Sequence, residues 1–124
     1  MKDEPLLVRE LSSAEREIAS RLLLTEFTGA AELREQAKDA TVRAEDHGGV
    51  LVLVFNADRA THPAGVNNRI PVEADGLDSD GVPIHVLVHV VGGLLREVEI
   101  FREDSRPILR LPDPKSLSVQ VNDA

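Results

Sequence analysis

The amino-acid sequence predicts an α+β fold in which one or two N-terminal helices pack on a largely antiparallel sheet of five or six strands. Two observations lead to this prediction. Apolar residues recur at helical spacing in the first third of the chain, and they alternate or run continuously in the rest. The 124 residues, of which 42% are hydrophobic and 29% charged, predict one domain over residues 1–124.

Two helices are predicted near the N-terminus. The first runs from Ser13 to about Glu26, because Ser12 and Glu15 have the spacing of a capping box. The apolar residues that follow the cap lie on one helical face: Ala14, Ile18 and Leu22. Gly29 stands where a left-handed residue would end this helix, and Ala30–Lys38 is predicted as a second, shorter helix.

The remainder predicts six strands with turns between them: 41–45 at a sheet edge, 50–55, 70–74, 82–91, 94–101 and 117–121. The segment 50–55 is apolar at every position, so we expect a central strand that is covered at least in part on both sides. Residues 57–68 read as a polar loop and residues 75–81 as an acidic turn.

The register of the hairpin around Gly92-Gly93 decides where Glu97 and Glu99 point. A two-residue loop, Gly92-Gly93, would place both carboxylates among the valines of the preceding strand, where unpaired charges are costly. A three-residue loop, Val91–Gly93, pairs Val90 with Leu94 and turns both glutamates to the other face. We therefore predict the three-residue loop.

In that register His85 lies opposite Glu99, while Glu97 lies opposite Leu87 and His89 shares their face. Such a face suits a proton-transfer pair, a ligand or a partner, and it equally suits simple cross-strand ion pairing. His85 and His89 are four strand residues apart, roughly 13 Å, which is too far for one metal ion to join them. No metal site is predicted.

The same register brings four acidic residues together at the far end of the hairpin: Asp78, Asp80, Glu103 and Asp104. Arg102 and Arg106 offset part of their charge. The turn resembles a piece of a calcium loop, but Gly76 and Leu87 occupy the positions where an EF-hand needs its first Asp and its bidentate Glu. No cofactor is predicted, and the acidic patch favours a basic partner.

Composition narrows the classes of function. The net charge of −8, with 22 acidic against 14 basic residues, disfavours nucleic acid as a partner. The chain has no cysteine, which excludes disulfides, thiolate metal sites and cysteine nucleophiles. The longest apolar run is far shorter than the roughly 20 residues of a membrane helix, and the N-terminus lacks a signal-peptide core, so we expect a cytoplasmic protein.

Sequence motifs of catalysis are missing from the chain. It contains no glycine-rich phosphate loop, no GxSxG nucleophile elbow and no HExxH helix. We therefore expect a protein that is not an enzyme.

The segment from Asp78 to Pro114 resembles small bacterial domains of unknown function. The residues that carry the resemblance are Asp80–Ile84, Leu87–Leu94, Glu97–Ile100, Pro107-Ile108 and Leu111–Pro114, with Arg9-Glu10-Leu11 and Leu22–Leu24 near the start. Such small acidic proteins are similar to the immunity proteins of polymorphic toxin systems, which bind and block a cognate toxin. The resemblance implies an immunity or antitoxin role.

The sequence thus predicts a non-catalytic protein that masks a basic protein partner through Asp78, Asp80, Glu103, Asp104, His85, Glu97 and Glu99. Two alternatives stay open. One is a homo-oligomeric subunit that associates through a strand edge or a stripe of Leu87, Leu95 and Phe101. The other is a ligand-binding or enzymatic domain that uses the His/Glu face.

Overall fold

The computed structural model describes residues 7–56 and 62–122. These residues form two helices, seven strands and one 3-10 turn: β1 Val8–Arg9, α1 Ser13–Leu23, α2 Ala30–Lys38, β2 Thr41–His47, β3 Val50–Asn56, β4 Val72–Leu77, β5 Pro83–Val91, β6 Leu94–Arg102, the 3-10 turn Pro114–Ser116 and β7 Ser118–Val121. All strands pair antiparallel in one sheet of order β1-β2-β3-β6-β5-β4-β7.

The α+β class is confirmed, but the sheet has seven strands where five or six were predicted. The additional strand is β1, whose two residues pair with Val42 and Arg43 of β2. Two residues are too few to show an alternating pattern, so the strand was missed. As a result β2, which was predicted at a sheet edge, has a neighbour on each side.

The capping box forms as the spacing predicts. The Glu15 N–H donates to Ser12 Oγ at 3.1 Å, and the Ser12 N–H donates to a Glu15 carboxylate oxygen at 2.8 Å. Ala14, however, is exposed and Glu15 is buried in its place. The Arg9 guanidinium donates to both Glu15 oxygens, at 2.8 and 2.9 Å, which satisfies the buried carboxylate and holds β1 against α1.

The first helix ends at Leu23, three residues before the predicted Glu26. Gly29 does not close it. Its φ of 91° instead makes it the left-handed N-cap residue of α2, whose bounds match the prediction. Both helices pack on one face of the sheet, where Ile18, Leu22 and Leu33 join the buried side chains of β3, β5 and β6. Neither described helix is long and apolar enough to cross a membrane.

Residues 50–55 form the predicted central strand, with β2 on one side and β6 on the other. β4 begins and ends later than expected, at Val72 and Leu77, so Asp75 lies within a strand and the acidic turn shortens to 78–81. The last strand begins at Ser118, one residue after Leu117. Of the predicted polar loop 57–68, residues 57–61 lie outside the described part of the chain.

The hairpin differs from the prediction in its loop. Val91 pairs with Leu94, so only Gly92 and Gly93 form the turn. Both have positive φ, 61° and 79°, as a type I′ turn requires, and such turns suit two-residue hairpins. The predicted three-residue loop is therefore wrong.

A β-bulge places Glu97 and Glu99 on the face where the three-residue loop was predicted to place them. Val90 pairs with Leu95 but His89 pairs with Glu97, so Arg96 is the extra residue. Glu97 and Glu99 consequently point away from the buried valines, as predicted. Because the bulge lies after Leu95, that side chain joins the core and is fully buried, which corrects its predicted place on the polar face.

Candidate functional site: the open face of the sheet

The sheet has a second face, opposite the helices, which we call the open face. Its side chains are exposed or half-buried, except for the buried Val52. Of the described residues, six with carboxylates lie on it: Glu45, Glu73, Asp75, Glu97, Glu99 and Glu103. The register also places Arg43, His85 and His89 there, together with the half-buried apolar residues Val54, Leu87 and Phe101.

One row across the sheet shows how acidic and apolar residues alternate. Read from β2 to β7 through the paired positions, it runs Glu45, Val52, Glu99, Leu87, Glu73 and Gln120. Neighbouring strands are about 4.8 Å apart, so successive carboxylates of this row stand roughly 10 Å apart with an apolar side chain between them. A surface of this kind offers charge and apolar contact at regular intervals.

His85 is held between two carboxylates on this face. Its Nδ1 lies 2.7 Å from an Asp75 oxygen and its Nε2 lies 3.1 Å from a Glu103 oxygen. Desolvation of the half-buried ring lowers the pKa of His85, but the two carboxylates outweigh it and the pKa lies above its ordinary value. Both nitrogens then donate, and the imidazolium joins β4 to the turn after β6.

We expect a pH-dependent contribution from this contact. Because the folded-state pKa of His85 is raised, the stabilisation is complete below the unfolded pKa of about 6.5 and is lost as the pH rises through the folded value. An NMR titration of the histidine rings should place His85 above 6.5, and the double substitution of Asp75→Asn with Glu103→Gln should lower that pKa. In the control variant Asp113→Asn the His85 pKa should be unchanged. A His85 pKa at or below the value of an unstructured histidine would contradict the arrangement.

The second histidine forms a separate pair. His89 Nε2 lies 2.8 Å from Glu99 Oε1, and Glu97 occupies the position directly across from His89. The other ring nitrogen of His89 is buried and has no hydrogen-bond partner among the described residues. The predicted pairings of His85 with Glu99 and of Leu87 with Glu97 do not occur. The two-residue turn and the bulge each shift the register by one residue, and together they put Phe101 opposite His85.

The predicted acidic patch is organised by a buried arginine. Arg102 is 4% exposed and its guanidinium contacts three carboxylates, at 3.0 Å from Asp78, 3.0 Å from Asp80 and 2.8 Å from Asp104. We call these four residues the Arg102 cluster. Glu103 is not part of it, since its carboxylate lies beside His85.

Hydrogen bonds stabilise the ionised carboxylates of this cluster. The Arg102 guanidinium lowers the pKa of Asp104 to about 2, with help from the Arg106 N–H. Burial opposes ionisation of Asp78, but backbone N–H groups of Leu109, Ser79 and Arg110 together with Arg102 keep its pKa below the ordinary range. The Asp78 side chain has no exposed surface, so it can organise the patch but cannot touch a partner.

The sequence did not predict the positions of two residues in this arrangement. Asp75 was assigned to a turn, although its place in β4 puts it beside His85. Arg102 was treated as a surface counter-charge, yet it continues the inward alternation of Val98 and Ile100 along β6, which is a readable sign that it needs buried acidic partners. Within residues 7–56 and 62–122, no group of three or more side chains is arranged to hold a metal ion.

The fold and this face define a small α+β domain with one helix-covered side of the sheet and one open, acidic side. The family model described as a domain of unknown function, DUF6984, matches residues 8–112. The chain therefore belongs to that family. No curated protein and no solved structure matches it.

Proposed function

We propose that the protein is a non-catalytic binding protein whose open face masks a basic protein partner, in the manner of an immunity protein. The observation that carries the proposal is the uneven distribution of charge. Helices α1 and α2 together hold four acidic and four basic residues, so they are neutral as a pair. Among the described residues, the six carboxylates named above lie on the open face, where the Arg43 guanidinium pairs with Glu45.

The chemistry of this surface indicates the chemistry of its partner. Carboxylates about 10 Å apart, with the half-buried Leu87 between those of Glu99 and Glu73, suit a surface that alternates basic and apolar side chains. Electrostatic attraction speeds the encounter, and the apolar residues add area that is buried on binding. Asp80 and Asp104 extend the negative field beyond the sheet, although they share Arg102 with Asp78.

Self-association receives less support from the same observations. Two copies of the open face would bring like charges together, which costs free energy. Of the three residues predicted to form an oligomer interface, Leu87, Leu95 and Phe101, Leu95 is not available because it is buried in the core.

Binding to the protein encoded by the neighbouring gene tests the proposal. The variant with Glu97→Gln, Glu99→Gln and Glu103→Gln should associate about ten-fold more slowly than the wild type, with a weaker dependence on salt. The matched control carries Glu17→Gln, Glu26→Gln and Glu32→Gln, which removes the same charge from the helical side. Stopped-flow mixing or surface plasmon resonance gives both association rates.

Two results would overturn the proposal. The first is a neighbouring gene product that the protein neither binds nor inhibits. The second is equal association rates for the two triple variants, since the open face would then contribute no more than any other set of acidic residues.

A further inference from the structure

A cavity of about 220 Å³ lies on the other side of the sheet, between the two helices. Its apolar lining comes from Leu11, Leu23 and Phe55, and Ala19 and Ala37 face it from the two helices. Arg16 and Arg34 stand among the same lining residues. The cavity shares no residue with the open face, so what it binds is independent of the proposed function.

Small side chains explain why space is left between the helices. Helix α1 and its C-cap residue contribute one helical stripe: Arg16, Ala19, Ser20, Leu23 and Leu24. Helix α2 contributes Arg34, Ala37 and Lys38. Alanine occupies the middle of each stripe, at Ala19 and Ala37. A small apolar group that enters this space removes its own surface and part of the apolar lining from water.

The two arginines at the cavity lack acidic partners within the described residues. Arg16 forms no ion pair or side-chain hydrogen bond with any residue in 7–56 or 62–122. Arg34 donates through Nη1 to the Leu23 carbonyl at 2.8 Å, which caps α1, and it has no carboxylate partner in the same part of the chain. Lys38, by contrast, pairs with the exposed Glu35 at 3.3 Å.

We propose that this cavity binds a small amphipathic carboxylate, with the apolar tail between the helices and the carboxylate on Arg16. A guanidinium binds a carboxylate with two parallel hydrogen bonds, and Arg34 adds positive potential. The volume holds roughly seven groups of about 30 Å³ each, which matches a short unbranched chain and is below the range of drug-sized ligands.

Octanoate is the probe that tests the proposal. Calorimetric titration should detect binding, and the amide signals of Ala19, Leu23 and Ala37 should shift in the ¹⁵N–¹H NMR spectrum. Arg16→Gln should weaken octanoate binding about ten-fold, and octan-1-ol should bind the wild type about ten-fold more weakly than octanoate does. Ala37→Leu should fill the cavity and abolish binding without lowering the melting temperature.

The control variant is Arg110→Gln, which removes an exposed arginine far along the chain and should bind octanoate as the wild type does. The proposal fails if octanoate does not bind at about 10 mM, or if its shifts fall on residues outside the cavity. It also fails if Arg16→Gln and Arg110→Gln bind equally well. These outcomes do not depend on Ala37→Leu, so the test stands even if that variant folds poorly.

Discussion

Replacing Arg102 with Met is expected to lower the melting temperature by about 10–20 °C. The substitution leaves the fully buried Asp78 carboxylate without its guanidinium and releases Asp80 and Asp104 from their shared partner. Asp78 keeps its hydrogen bonds from the N–H groups of Ser79, Leu109 and Arg110 but loses its counter-charge, and the loss of a buried counter-charge is far more costly than the loss of an exposed ion pair. Thermal unfolding followed by circular dichroism measures the effect.

Arg110→Met is the matched control, because Arg110 is exposed and forms no ion pair within the described residues. It should melt within a few degrees of the wild type. The difference between Arg102→Met and the wild type should also shrink in acid. The lowered pKa values of Asp78 and Asp104 give stabilisation that is present above the ordinary carboxyl pKa and lost as the pH falls, toward about 2 for Asp104. A melting temperature equal to that of Arg110→Met would refute the role assigned to the Arg102 cluster.

Gln36→Met is expected to lower the free energy of unfolding by about 2–4 kcal/mol. The Gln36 side chain is buried, and its Oε1 accepts the Leu95 N–H at 2.7 Å beside the bulge. Its Nε2 donates to the carbonyls of His62 and Gly93, at 3.1 and 2.9 Å. Methionine keeps the length and the burial but leaves the Leu95 N–H without a partner in a buried place.

Urea unfolding measures this loss, and hydrogen exchange localises it to the Leu95 amide. Gln120→Met is the control, since Gln120 is exposed on β7 and should change stability by less than about 0.5 kcal/mol. If the Leu95 amide stayed protected from hydrogen exchange in Gln36→Met, some other group would have to accept its hydrogen bond. The proposed link between α2 and the bulge would then be wrong.

Local rules predicted much of this fold. The capping box located the start of α1, the alanine-rich segment gave both bounds of α2, and the continuous apolar run 50–55 forms an interior strand of the sheet. The face of Glu97 and Glu99 was also predictable, because burying two carboxylates among valines costs more than any irregularity in the strand pairing. Each of these inferences depends on residues close together in sequence.

The site was predicted less well because it depends on pairing between distant strands. His85 and Glu103 were both identified, yet the partner of His85 across the sheet is Asp75, and its position depends on where β4 begins and ends. His89 meets Glu99 because one extra residue, Arg96, shifts the return strand. The Arg102 cluster draws on β6 and two separate turns.

By itself the sequence determined the class of fold, the helical segments and which side of the hairpin is polar, since helical and strand periods and the cost of burying charge act locally. Only the tertiary structure decided which backbone geometry keeps Glu97 and Glu99 out of the core. A two-glycine turn followed by a bulge achieves this as well as a three-residue loop would. The choice between these two geometries depends on contacts between residues far apart in the sequence. Gln36 meets the Leu95 N–H beside the bulge, and a side chain at Gly93 would come within 2.6 Å of Pro63.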